Sequence, residues 1–194
     1  MLTSKVKIII IPGIFKRESF LDKFNDYCLK NNLDAEIFRI EWLEKDMYKL
    51  NEEKLIKKIK GYSKKYDKIY LIGTSAGGSV AVNTYSKLNG LVNKVICICA
   101  PLKEEGLTLA LGEMISDKFK DSLSSAVRSL ESLDKKLRNN ILSFIPLYDE
   151  LVPLRAMRFG GIKSKKIDSR EHLLSISKVI NDEIPSIAAF FDLN

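Results

Sequence analysis

Apolar residues along this chain recur in two alternating rhythms. Short continuous runs, Val6–Ile11, Lys68–Ile72, Lys94–Ala100 and Ile141–Leu147, read as strands buried on both faces. Ala35–Ile40 adds a second strand in chain order, and Ser164–Ile167 a weak sixth. Between them, apolar positions spaced three and four apart predict amphipathic helices over Ser19–Asn31, Leu50–Tyr62 and Ser122–Arg138, and Gly77–Leu88 starts with glycines and continues as a small-residue helix. The stripe Leu123, Val127, Leu130, Leu133 and Leu137 is the clearest of these. Leu173–Phe190 predicts a last helix, interrupted near Pro185. Strands alternating with helices imply an α/β fold with a mainly parallel sheet. No repeat, low-complexity tract or linker divides residues 1–194, so a single domain is expected, with a small cap-like insertion around 102–121.

Composition narrows the class. At 45% hydrophobic and 29% charged residues the chain is globular, not disordered. Its net charge of +7 is scattered rather than interleaved with aromatics, which predicts a solvated basic surface and no specific nucleic-acid site. An acidic carrier of the substrate is compatible with that charge. Cys28, Cys97 and Cys99 lack framework spacing, and with His172 the only histidine they make no metal set, so neither disulfides nor zinc are expected. Lys5 and Lys7 precede an apolar stretch, Ile8–Phe15, of signal-peptide size. Pro12-Gly13 interrupts it and Lys16-Arg17-Glu18 follow without a small-residue cleavage site, so a strand running into a turn fits better. No run approaches the ~20 apolar residues of a membrane span. The expectation is a cytoplasmic protein without a transmembrane segment.

The chemistry concentrates in Gly73-Thr74-Ser75-Ala76-Gly77, a Gly-x-Ser-x-Gly with a buried strand before it and a helix after it. That setting suits a sharp turn that lifts a serine hydroxyl out of the sheet. Glycines at 73 and 77 leave room for the serine backbone, and Ala76 offers a main-chain N–H at a helix start, where negative charge is favoured. The spacing fits neither a P-loop nor a dinucleotide fingerprint. Ser75 needs a base, and His172 is the one available, on a loop leaving the last strand toward the same sheet edge. Asp149, directly after Ile141–Leu147, is the favoured orienting carboxylate. Glu150, Asp168 and Glu171 are rivals otherwise read as solvated charges. Pro12-Gly13-Ile14-Phe15 follows the first strand, so a second oxyanion donor is expected from Ile14, with Phe15 as runner-up.

With these residues placed, the sequence resembles the α/β-hydrolase superfamily over nearly its whole length. The order Ser75, Asp149, His172 matches the family's Ser…Asp/Glu…His, and Asp149-Glu150-Leu151-Val152-Pro153 resembles its acid loop. Glu171-His172 stands where Gly-His is common, and Pro12-Gly13-Ile14 where His-Gly-x is common. The resemblance implies a minimal three-layer sandwich: six strands in the order 2-1-3-4-5-6 with helices on both faces. It also implies a serine hydrolase of carboxylic esters or thioesters that uses no cofactor. Phe15, Leu109, Met114 and Val152 would then contact a short or medium apolar acyl group under Gly106–Ile115, a stretch that could instead be core packing. A non-catalytic binding module on the same fold, a peptidase and an acyltransferase remain as alternatives.

Overall fold

A computed structural model describes residues 4–14, 22–42, 47–105 and 117–193 of the chain. The elements alternate: β1 (Val6–Ile11), α1 (Asp22–Lys30), β2 (Asp34–Ile37), α2 (Met47–Tyr62), β3 (Lys68–Thr74), α3 (Gly77–Lys87) and β4 (Lys94–Ile98). Then come α4 (Asp117–Ser132), α5 (Lys135–Arg138), β5 (Ile141–Pro146), β6 (Lys163–Ile167), α6 (His172–Asp182) and α7 (Ile184–Phe191). The six strands form one all-parallel sheet in the order β2-β1-β3-β4-β5-β6. Helices α2, α3 and α4 pack as one layer, and α1, α6 and α7 as the other.

β1 and β5 are buried at every position, and β3 and β4 at all but their first, as both-sided coverage requires of a parallel sheet. Lys7 stands in this apolar run at 4% exposure. A buried amine needs partners, and its Nζ lies 2.7 Å from Asp34 Oδ1, 3.5 Å from Glu36 Oε2 and 4.8 Å above the Tyr62 ring. Those groups come from β2 and α2, so the cluster pins an edge strand and a covering helix to the central strand. Burial alone would raise the Asp34 carboxyl, but hydrogen bonds from Lys7 and Tyr66 and the Lys7 charge outweigh it and hold the group low.

Several boundaries differ from the sequence-based expectation. β2 ends at Ile37 rather than Ile40, although Phe38 still donates its N–H to the Ile10 carbonyl at 2.8 Å. β4 ends at Ile98 rather than Ala100 because Cys99 turns to φ +49°. The expected helix Ser122–Arg138 begins earlier, at Asp117, and is divided. Asp134, in an extended conformation, caps α5 by accepting the Leu137 N–H at 2.7 Å. The last helix divides at Glu183, with Pro185 in the first turn of α7. Among the described residues no helix is long and apolar enough to cross a membrane.

Candidate active site

Three parallel strands deliver the site to one edge of the sheet. β3 runs into Ser75, which holds φ +50° and donates its N–H to the Ile98 carbonyl at 2.9 Å. Its own carbonyl accepts the Gly78 N–H at 3.0 Å, so the chain reverses within three residues into α3. Glycine is required here by contact. A Cβ on Gly77 would fall 2.0 Å from the Ile11 carbonyl oxygen, and one on Gly73 would fall 2.5 Å from Gly78 Cα. Gly78, outside the sequence motif, belongs to the same packing: a Cβ there would lie 2.3 Å from Ala100 Cβ.

The loop after β1 rests on this turn. A Cβ at Gly13 would lie 2.8 Å from Ser75 Cβ and 3.2 Å from the Ala76 nitrogen. The main chain entering Ile14 therefore runs beside the start of α3, where Ala76 is helical and no side chain caps the helix. Ile14 is partly buried. Phe15, Leu109 and Met114, and with them the expected roof Gly106–Ile115, lie outside the described residues.

β5 and β6 contribute the remaining groups. Ser75 Oγ lies 2.9 Å from His172 Nε2, and His172 Nδ1 lies 2.7 Å from Asp149 Oδ2. The imidazole is wholly buried and Asp149 is 8% exposed. The other Asp149 oxygen, Oδ1, accepts the N–H groups of Leu151 at 2.9 Å and Val152 at 2.7 Å, which fixes the carboxylate's rotamer. Val152 is thereby held in the acid loop, 2% exposed. Cys99 lies buried at the end of β4, where burial and then the Asp149 charge push its thiol well above the usual range.

Two of the rival carboxylates are not idle solvated charges. Glu171 caps α6, accepting from the N–H groups of Leu173 at 3.3 Å and Leu174 at 2.6 Å. Glu150 accepts the main-chain N–H of His172 on both oxygens, at 3.0 and 3.2 Å. Asp168 offers its main-chain carbonyl to Lys178 at 2.9 Å. None of these roles leaves a residue-type signature in the sequence, since the donors are main-chain amides or a distant lysine. Among the described residues no cluster of histidine, cysteine, aspartate and glutamate could hold a metal ion.

This all-parallel sheet, with a strained serine turn at its edge facing a histidine from the last βα loop, is the α/β-hydrolase fold. The sequence matches no protein-family model and no curated protein at a significant level. Solved structures do match. An α/β-hydrolase enzyme from the metagenome of sediments of the Mar Chica lagoon, Morocco, superposes with a TM-score of 0.68 at 17% identity, covering 97% of this chain and 92% of that one. One of two metagenome-derived lipolytic enzymes gives 0.67 at 12% identity, over 96% and 94%. A lipase-esterase related protein from Clostridium acetobutylicum gives 0.62 at 14% identity, over 95% of both chains.

Proposed function

We propose that the chain is a serine hydrolase that cleaves carboxylic esters or thioesters through an acyl-serine intermediate. The observation that carries this reading is the continuous relay from Ser75 Oγ to His172 Nε2 at 2.9 Å and from Nδ1 to Asp149 Oδ2 at 2.7 Å. A serine hydroxyl is a weak nucleophile until a base takes its proton. Ser75 Oγ bonds to the acyl carbon as its proton passes to His172 Nε2. Asp149 keeps the Nδ1–H tautomer and stabilises the imidazolium that forms. The oxyanion is met by the N–H of Ala76, with the help of the α3 dipole, and by the N–H of Ile14. Collapse expels the alkoxide or thiolate, which takes the proton from Nε2. Water, deprotonated by the same nitrogen, then adds to the acyl carbon, and collapse breaks the bond to Ser75 Oγ, which retakes the proton from Nε2 as the acid leaves.

The structural neighbours named as lipolytic or lipase-esterase related support hydrolysis on this fold. An apolar acyl group suits the surroundings. Leu147 and Tyr148, large side chains left exposed, lie on the loop that carries Asp149. Labelling by a fluorophosphonate probe tests the reading directly. The wild-type chain is expected to label and folded Ser75→Ala is not. Undiminished labelling of that variant, or no labelling and no ester or thioester turnover by the wild type, overturns it.

A further inference from the structure

Glu150 has no part in the proton relay, yet it grips the same histidine. Its carboxylate reaches from the loop after β5 to the first N–H of α6, that of His172, at 3.0 and 3.2 Å. The first N–H groups of a helix have no partner within the helix, so something outside must take them. Glu171, adjacent in sequence, takes the next two. The first is left for the acid loop.

Asp149 and Glu150 are consecutive, and between them they hold His172 at two points. Asp149 holds the ring through Nδ1, and Glu150 holds the main chain. A bond to the ring alone fixes a distance but leaves the residue free to pivot about it. A second tie at the amide removes that freedom and sets where Nε2 points relative to Ser75. The two loops also meet through Leu147 and Tyr148, whose N–H groups donate to the Ser169 carbonyl at 2.9 and 3.5 Å, but those contacts lie three residues before His172. A negative charge at a helix start is also stabilised by the helix dipole.

We infer that Glu150 is a positioning residue that orients His172 toward Ser75 by holding its main-chain amide. The inference rests on the reading of His172 as the base. His172 is the only histidine of the chain, so its imidazole gives a single, unambiguous set of resonances in the intact protein. Glu150→Ala and Glu150→Gln are compared by kcat and KM on a p-nitrophenyl ester and by the imidazole Nδ1 proton resonance. Misplacing a catalytic group by a fraction of an ångström is expected to cost Glu150→Ala on the order of tenfold in kcat with KM little changed. The imidazole resonance should shift or broaden. Glu150→Gln retains an oxygen that accepts the same N–H, and should recover most of kcat and the native resonance. A Glu150→Ala protein with wild-type kcat and an unmoved resonance overturns the inference. So does a fall in melting temperature alone, since a merely structural residue would leave the imidazole signal in place. Failure of the functional reading shows elsewhere: His172→Ala would then keep turnover, while the resonance in the Glu150 variants would still report whether the carboxylate orients the ring.

Discussion

Ser75, the proposed nucleophile, sits in a strained backbone conformation. At φ +50° an L-residue sits in a region that costs about 1–2 kcal/mol, which glycine largely escapes. The turn is held by the Ser75 N–H on Ile98 and by the packing of Gly73 and Gly77, which a glycine at 75 would keep, while the Oγ bond to His172 would be lost. Ser75→Gly and Ser75→Ala lose the same hydroxyl and its bond to His172, so the glycine variant is expected to be the more stable of the two by about 0.5–1 kcal/mol after its extra unfolded-state entropy is counted. A melting temperature roughly 1–4 °C above that of Ser75→Ala would show it, with phosphonate labelling lost in both. A melting temperature below that of Ser75→Ala would mean that the strain is not held at this residue. For Asp149, replacement by Asn puts an amide against His172 Nδ1 and favours the wrong tautomer. Turnover should fall by a factor of up to ~10⁴ with circular dichroism unchanged. Glu150→Gln should do far less, and the opposite ranking would reverse the assignment of the acid.

Helices and strands meet the site through contacts that leave no room for a side chain. Gly77 begins α3 against the end of β1, and a methyl there would strike the Ile11 carbonyl at 2.0 Å. Main-chain atoms cannot rotate away, so Gly77→Ala should destabilise by about 3 kcal/mol or more, read as a lower urea midpoint at unchanged m-value. Gly61, near the end of α2, meets nothing within 4 Å. Gly61→Ala should instead stabilise by about 0.5–1 kcal/mol by helix propensity alone. If both substitutions behaved alike, packing at the elbow would not be what selects glycine. At this scale much of the fold could be read from the sequence. Continuous apolar runs marked β1, β3, β4 and β5, because a strand covered on both faces carries few polar positions to blur it. The reading ran too far where local chemistry overrides periodicity: Asp134 diverts a helical stripe into a cap, and Cys99 bends a still-apolar strand end. Ser75, Asp149 and His172 could be picked out because only certain side chains suit a relay after particular strands. Glu150 was legible only as a rival carboxylate, since its partner is an amide that every residue carries.

For the whole molecule, the buried thiols set the alkaline limit of stability. Cys28, Cys97 and Cys99 are free and buried, and lie within a core that also includes Tyr70 and Tyr85. Burial pushes the Cys28 and Cys97 thiols up to about 12, and Cys99 rises as well, with the Asp149 charge adding to burial. In the unfolded chain the same thiols ionise near ~8.5. Above that pH the unfolded state binds fewer protons than the native one, so stability must fall as pH rises. The contribution of each thiol is whole below the unfolded value and lost as pH climbs through the native one. Each such thiol adds about 1.4 kcal/mol per pH unit to that fall once its unfolded form is ionised, up to about pH 12 for Cys28 and Cys97. Tyr70, raised by burial to about 12, steepens the fall once its unfolded form ionises near ~10. On the acid side, Asp34 and Glu183 are held low, Glu183 chiefly by its hydrogen bond from Lys165, so their contribution persists until pH drops below the ordinary carboxylate range. The measurement is urea unfolding as a function of pH. Stability should decline little from pH 7 to 8 and steeply above 9, and Cys97→Ala should reduce the alkaline slope by one proton's worth. An unchanged slope in that variant would show that its thiol ionises alike in the folded and unfolded chain, and that the core around β4 is open to water.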